Sequence, residues 1–388
     1  MQFVQFKVPL IAMLLVSLAA CSRPYSPPEI RGAMSFAGAS DLAADSKRVR
    51  VIMTHGMCSQ SHQAFGGPGQ NWVADRSETI AGLVGDTGYT RQQQYKPVKE
   101  YKGTSRSPAV SRYDLNIHAA DGTTYELKML KWGQSFWPAF NALDILEAEI
   151  QKPPITRASL NHSLKTELMD NCLVDAVAYG GSRGDSLRSA YREAMCDLMG
   201  GKISGANTGR PNEKVTCSGM ASGSQVPAIL VPESLGSKIM MDAILSIKGG
   251  NKEGALGSVR AIHLATNQIP LLSQAQASEN TVRNSTGQGG EPGANDFRTL
   301  VRQLSSRNTS RAISEPISVV VYSDPNDLIG YPLTKEWIPD DGTAQLTNVL
   351  ISNGSTYFGS IANPASAHSG TARPEVFKMI IHGSDTQI

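Results

Sequence analysis

The sequence lacks the features that mark several large classes of protein. Its net charge is only +2 at pH 7, and lysine and arginine are scattered along the chain, so no basic region of the kind that binds nucleic acid is present. The five cysteines show no C-x-x-C spacing, and Gly-rich phosphate loops, HExxH and EF-hand patterns are absent. We therefore expect neither a metal nor a nucleotide cofactor. A small-molecule or lipid-like partner fits this composition better.

Long apolar runs are also missing, apart from one near the start. Residues 8–20 are mostly apolar, follow Lys7 and end at Cys21. This stretch is shorter than the roughly 20 residues of a membrane-spanning helix, which favours an export signal. The residues Leu18-Ala19-Ala20-Cys21 resemble the lipobox of bacterial lipoproteins, which implies that Cys21 carries lipid. Because Ser22 and not Asp follows, the same resemblance implies the outer membrane; the alternative is a plain secretory signal.

Composition divides the rest of the chain into a linker and one large domain. Residues 21–47 are rich in Pro, Ser, Ala and Gly and predict a flexible tether, so folding is expected to begin near Arg48. Residues 48–388 are long enough for one catalytic domain with an inserted cap. The four other cysteines of an exported protein could form disulfides, and three pairings are possible if all four are bonded. They are Cys58, Cys172, Cys196 and Cys217.

Short apolar segments and amphipathic segments alternate along this domain. Such alternation favours an α/β fold with a mainly parallel, doubly wound sheet and helices on both faces. Leucines spaced by four in residues 160–172, and a similar series in residues 187–195, predict two helices of a cap inserted at about 152–215. The predicted strands are 48–54, 113–117, 125–129, 226–231, 261–265, 317–322 and 346–351; the predicted helices outside the cap are 71–83, 237–247 and 297–306, and 274–296 is a predicted loop.

One serine lies between a predicted buried strand and a predicted helix. Ser234 stands in Pro232-Glu-Ser-Leu-Gly236. This pentapeptide resembles the nucleophile elbow of the α/β-hydrolase superfamily, small-x-Ser-x-small, although Pro232 departs from the usual glycine. The resemblance implies that Ser234 is a catalytic nucleophile; the alternative is that it only caps the helix.

A second serine matches the G-x-S-x-G string literally. Ser182 stands in Gly180-Gly-Ser-Arg-Gly184. This segment lies between two helical patterns and follows no strand, so we interpret it as a helix–helix loop.

The resemblance implies an acid and a base later in the chain, in the order serine, acid, histidine. Asp327 follows a strong predicted strand and precedes an apolar pair and a proline, as the acid of the superfamily often does; Asp324 is its rival and would otherwise brace the turn. His368 follows the last predicted strand and is the expected base, with His382 as the rival. The remaining histidines precede the acid in the chain, which makes them poor candidates; they are His55, His62, His118, His162 and His263.

The first predicted strand ends at His55-Gly56-Met57, which resembles the HG oxyanion loop of the same superfamily. That resemblance implies that the backbone N–H groups of Met57 and Leu235 stabilise an oxyanion. We expect His55 to hold the loop and not to act as a base. Cys58 is a conceivable thiol nucleophile, but a disulfide suits an exported protein better.

The resemblance therefore implies a serine hydrolase that cleaves an ester, on a lipid or another acylated substrate, through an acyl-enzyme. An acyltransferase or a peptidase would use the same triad of Ser234, Asp327 and His368. A non-catalytic envelope lipoprotein that keeps the fold as a binding module is the alternative from another class, and the proline at position 232 is its main support.

Overall fold

The computed structural model describes most of the chain from residue 22 onward. The described residues are 22–23, 26–33, 35–57, 72–92, 95–132, 165, 169, 173–219, 226–248, 255–276, 291–306, 316–353, 356–357, 364–368 and 373–384.

Strands and helices alternate over this part of the chain. The strands are β1 (Ser22–Arg23), β2 (Glu29–Gly32), β3 (Arg48–Thr54), β4 (Lys99–Tyr101), β5 (Val110–His118), β6 (Thr124–Trp132), β7 (Lys202–Ser204), β8 (Val215–Ser218), β9 (Ala228–Pro232), β10 (Ile247–Lys248), β11 (Val259–Ala265), β12 (Ile317–Ser323), β13 (Ala344–Leu350) and β14 (Thr356–Tyr357). The helices are α1 (Ala39–Ala43), α2 (Trp72–Val84), α3 (Val174–Gly180), α4 (Arg183–Leu198), α5 (Leu235–Ser246), α6 (Ile269–Gln276), α7 (Ala294–Ser306), α8 (Pro364–His368) and α9 (Pro374–His382). Two short 3-10 helices cover Ala255–Ser258 and Lys335–Trp337.

A nine-stranded sheet organises the domain, in the order β2-β13-β12-β11-β9-β3-β6-β5-β4. The six strands from β13 to β6 run parallel to their neighbours. Strand β2 at one edge and β5 and β4 at the other pair antiparallel. The prediction of a mainly parallel α/β sheet is therefore confirmed, with antiparallel strands added at both edges.

Two apolar cores lie on opposite faces of this sheet. In β3, Ile52 points into one core, whereas Val51 and Met53 point into the other. Side chains of α4, α5 and α7 complete the first core, and side chains of α1, α2 and α9 complete the second. The central strands are buried on both faces. Strands β9 and β12 therefore consist of mostly apolar residues, without alternation of apolar and polar side chains.

Helix α4 differs from its expected place in a cap. Its buried residues Leu187, Tyr191 and Met195 belong to the same apolar cluster as Leu230 of the central strand β9. Helix α4 therefore forms part of the layer that covers the sheet, because its apolar stripe needs a large apolar partner. The other predicted cap helix, residues 160–172, lies almost entirely outside the described residues.

The segment before Arg48 also differs from the expected flexible tether. Strand β2 extends the sheet by pairing with β13, and Ala39 and Ala43 of α1 are buried. The backbone of Phe36 exchanges hydrogen bonds with Ser384, which follows α9. A composition rich in small residues predicts flexibility, yet here small side chains allow close packing against the sheet edge and the last helix.

Among the described residues, a disulfide joins Cys196 of α4 to Cys217 of β8. The partners of two of the four cysteines are thus known, whereas Cys58 and Cys172 lie outside the described residues. The bond attaches the small sheet β10-β8-β7 to helix α4. Over the described part of the chain, no helix combines the length and apolar character needed to cross a membrane.

Candidate active site

Ser234 occupies a sharp turn between strand β9 and helix α5. Its backbone has φ 52° and ψ −126°, a region that residues other than glycine rarely adopt. The turn is held on both sides, since Glu233 N–H donates to the Thr54 carbonyl at 2.9 Å and Ser234 N–H donates to the Ala265 carbonyl at 2.8 Å. Neighbouring strands β3 and β11 thus impose a strained conformation at a serine, and such strain tends to occur at functional sites.

A continuous hydrogen-bonded chain joins Ser234, His368 and Asp327. Ser234 Oγ lies 2.7 Å from His368 Nε2. His368 Nδ1 lies 3.0 Å from Asp327 Oδ1 and 2.9 Å from Oδ2. All three residues are buried, and their elements meet at the carboxyl edge of the sheet. The structure therefore brings together the serine, acid and base that the sequence analysis selected.

Two glycines allow other segments to approach this turn closely. A Cβ atom on Gly56 would lie 2.4 Å from Ser234 Cβ, and one on Gly236 would lie 2.6 Å from the His55 carbonyl oxygen. Both distances are shorter than real Cβ contacts. Glycine at these positions therefore lets the loop after β3 lie directly against the serine, in agreement with the small-x-Ser-x-small pattern.

The two predicted oxyanion residues are next in the chain to residues that meet at the serine turn: Leu235 follows Ser234, and Met57 follows Gly56. Leu235 is the first residue of α5, so its N–H group has no carbonyl four residues earlier within the helix. The positive end of the α5 dipole also lies at this end of the helix, where it favours negative charge. Gly56 lies against the Ser234 side chain, and the Met57 side chain after it is buried.

His55 packs between two tryptophans and holds the loop that ends β3. Its ring stacks on Trp132 with centroids 4.8 Å apart and meets Trp72 edge-on. Trp132 N–H donates to His55 Nε2 at 2.9 Å, and Trp132 Nε1–H donates to the His55 carbonyl at 2.9 Å. Burial lowers the pKa of His55 from 6.5 to about 4, so the ring is uncharged at neutral pH. These contacts agree with the structural role expected for His55.

Asp324, the rival acid, braces the turn after β12 and does not contact His368. Its Oδ1 accepts the backbone N–H of Asn326 at 2.8 Å, and its Oδ2 accepts the backbone N–H of Asn353 at 2.7 Å. The side-chain amide of Asn353 in turn donates to the Ala367 carbonyl, one residue before His368, at 2.8 Å. Asp324 therefore connects the turn after β12 to the segment that carries His368.

The other candidates from the sequence lie elsewhere. Ser182 is exposed in the short connection between α3 and α4, as predicted for a helix–helix loop. His382 ends α9 and lies 3.3 Å from Ser40 Oγ. His263 is buried against Tyr322, 2.9 Å from its hydroxyl, and His118 is exposed at the end of β5. Cys58, His62 and His162 lie outside the described residues.

An ion pair under the serine turn was not predicted from the sequence. Glu233 is buried, and its two carboxylate oxygens each accept a hydrogen bond of 3.0 Å from the Arg76 guanidinium. Arg76 also lies over the Phe377 ring, 5.3 Å from its centroid. These contacts tie the elbow to α2 and α9. An acid beside the candidate serine and an arginine on the first predicted helix were visible in the sequence, but nothing in their spacing paired them.

The described residues hold no group of three or more His, Cys, Asp or Glu side chains that could ligate a metal. Comparison of the chain with models of protein families and with curated proteins found no match.

Proposed function

We propose that this protein is a serine hydrolase of the α/β-hydrolase type that cleaves esters through an acyl-enzyme. The observation that carries the proposal is the hydrogen-bonded chain from Ser234 Oγ through His368 to Asp327, with the serine on a strained strand-to-helix turn. The order serine, acid, histidine along the chain, with the serine and the acid directly after parallel strands β9 and β12, is the order of that superfamily. The antiparallel strands at both edges are compatible with it.

The proposed mechanism gives each group one step. His368 Nε2 takes the proton of Ser234 Oγ as the oxygen attacks the ester carbonyl, and Asp327 orients the imidazole through Nδ1–H. The N–H groups of Met57 and Leu235 stabilise the oxyanion. His368 then gives the proton to the leaving alcohol, and water releases the acyl group in a second passage through the same steps. The Glu233–Arg76 pair holds the turn without taking part in proton transfer.

Labelling with a fluorophosphonate probe tests this proposal. The wild-type domain should gain the probe's mass on the peptide that contains Ser234, and Ser234→Ala should abolish labelling without loss of the fold. Ser182→Ala is the matched control, because it removes the serine of the literal G-x-S-x-G string, and it should label as the wild type does. His368→Ala should suppress labelling almost completely, because triad residues act as a unit.

Two results would contradict the proposal. Labelling on the peptide that contains Ser182 would move the nucleophile to the connection between α3 and α4. A folded wild-type protein that neither reacts with the probe nor cleaves any ester would favour the alternative of a non-catalytic binding module. An acyltransferase would still label, and would differ by passing the acyl group to an added alcohol or amine in preference to water.

We also propose that the protein is exported and held at the outer membrane by lipid on Cys21. The segment Leu18-Ala19-Ala20-Cys21 carries this proposal, and the Cys196–Cys217 disulfide supports an oxidising compartment. Cys21→Ser should release a soluble protein or leave unprocessed precursor, whereas Ser22→Ala should leave attachment unchanged. A Cys21→Ser protein that is still tightly membrane-bound after signal cleavage would contradict the anchor.

A further inference from the structure

One buried carboxamide beside the candidate triad has an unexplained polar atom. Gln268 is fully buried, and its Nε2 lies 3.5 Å from His368 Nε2. Its Oε1 is buried as well and has no hydrogen-bond partner among the residues that the structure describes. A buried acceptor without a partner destabilises a protein by about 1–3 kcal/mol, so a carboxamide that keeps one while its nitrogen lies near the base calls for a functional explanation.

The backbone just before Gln268 is strained. Thr266, two residues earlier, has φ 49°, which is a rare conformation for a β-branched residue. Its N–H donates to the Tyr322 carbonyl at 3.0 Å, so strand β12 fixes the strained residue. Asn267 is fixed as well, since its Oδ1 accepts the N–H of Ile269 at 3.1 Å. These bonds hold the backbone on both sides of Gln268, whose amide nitrogen lies 3.5 Å from His368 Nε2.

Acylation makes no use of the Gln268 oxygen. During acylation, Ser234 Oγ–H donates to His368 Nε2, and the donors of the oxyanion site are backbone N–H groups. During deacylation a water molecule takes the place of the leaving alcohol and donates one hydrogen to His368 Nε2. Its second hydrogen then needs an acceptor close to the base. A half-turn of the carboxamide exchanges its oxygen and nitrogen, and it would place the oxygen where Nε2 now lies, 3.5 Å from His368 Nε2.

We propose that Gln268 holds the deacylating water, with its Oε1 accepting the hydrogen that His368 does not take. This inference rests on the proposed ester hydrolysis and adds the residue that makes water the acceptor of the acyl group. In the step, the water oxygen forms a bond to the acyl carbon, and the bond from that carbon to Ser234 Oγ breaks. The water proton passes to His368 Nε2 and from there to Ser234 Oγ, while Gln268 exchanges no proton.

Separate measurement of acylation and deacylation tests this role. With 4-nitrophenyl butyrate, nitrophenolate release reports acylation, and the steady-state rate after a burst reports deacylation. Gln268→Met keeps the length of the side chain but removes the acceptor. We expect it to slow deacylation between about 5-fold and about 100-fold, the equivalent of one lost hydrogen bond, with the rate of the burst nearly unchanged. Butyryl enzyme should then accumulate on the peptide that contains Ser234 and be visible by mass spectrometry.

Two variants serve as comparisons. Gln268→Glu keeps an acceptor oxygen and should deacylate faster than Gln268→Met. Gln345→Met makes the same change at an exposed position near the start of β13, at the opposite edge of the sheet, and should match the wild type.

The outcomes separate this inference from the proposed function. If the wild type labels and turns over but Gln268→Met deacylates at the wild-type rate, the water-holding role is wrong while the hydrolase proposal stands. Equal losses in acylation and deacylation would also overturn it, because they would indicate a structural role for Gln268. A wild type that never reacts at Ser234 would overturn both.

Discussion

Asp327 and Asp324 are two buried aspartates three residues apart, and replacement by asparagine should lower kcat at Asp327 but mainly stability at Asp324. Both oxygens of Asp327 lie within 3.0 Å of His368 Nδ1, and its side chain is fully buried. In Asp327→Asn, an amide N–H facing Nδ1 favours the tautomer with hydrogen on Nε2. That nitrogen then cannot accept the proton of Ser234 Oγ, which lies 2.7 Å away. A triad changed in this way loses about 10⁴-fold in kcat, or about 5.5 kcal/mol.

The matched change Asp324→Asn should lower stability. It should leave His368 in the tautomer that has hydrogen on Nδ1. The Asp324 carboxylate accepts hydrogen bonds from Asn326 and Asn353, and one of its two oxygens would become a donor. We expect a loss of about 1–3 kcal/mol in the free energy of unfolding, with kcat lowered far less than in Asp327→Asn.

Steady-state ester hydrolysis and urea unfolding of both variants provide the measurements. Circular dichroism establishes that each variant is folded before its kcat is compared. A loss of about 10⁴-fold in kcat for Asp324→Asn, with Asp327→Asn still active, would identify Asp324 as the acid and contradict the role of Asp327. Similar modest losses in both variants would refute the triad itself.

Three further predictions concern the loop, the buried histidines and the disulfide. Gly56→Ala should reduce fluorophosphonate labelling at least tenfold, because its Cβ would lie 2.4 Å from Ser234 Cβ, and wild-type labelling would contradict the close approach. Burial lowers the pKa of His55 to about 4 and that of His263 to about 3, so the unfolded chain binds more protons below about pH 6.5. The free energy of unfolding should therefore fall between about pH 6.5 and pH 4, by about 3 kcal/mol for His55 alone; urea titrations that are flat across this window would contradict it. Replacing Cys196 and Cys217 together by alanine should cost about 3 kcal/mol, the loop entropy of a separation of 21 residues, and an unchanged urea midpoint would refute the bond.

Local patterns predicted most strands of the central sheet, and a resemblance to a superfamily selected the three side chains that the structure brings together. Strands β9 and β12 are short apolar runs flanked by polar residues, and their burial on both faces is what such runs indicate. Ser234, Asp327 and His368 each follow a strand, so the carboxyl edge of a parallel sheet brings them together although 134 residues separate the serine from the histidine.

Contacts between distant segments were not predictable in the same way. Gln268 follows a predicted strand, but its approach to His368 depends on two segments that are 100 residues apart in the chain. Helix α4 was assigned to a cap because an amphipathic pattern shows that a helix has an apolar partner but does not identify the partner. Strand β2 was missed because a short edge strand among prolines and glycines has no clear period.

The direction of strand β2 determines where the start of the chain leaves the domain. Glu29 pairs with Leu350, the last residue of β13, and Gly32 pairs with Thr347, so β2 begins at the carboxyl edge of the sheet. Strand β1 pairs with β14, between β13 and the segment that carries His368. Cys21 directly precedes β1. If Cys21 carries lipid and Ser234 cleaves esters, as proposed, the membrane would lie on the side of the sheet edge where β2 begins, and an ester lying in it could reach the serine by lateral diffusion, without first dissolving in water.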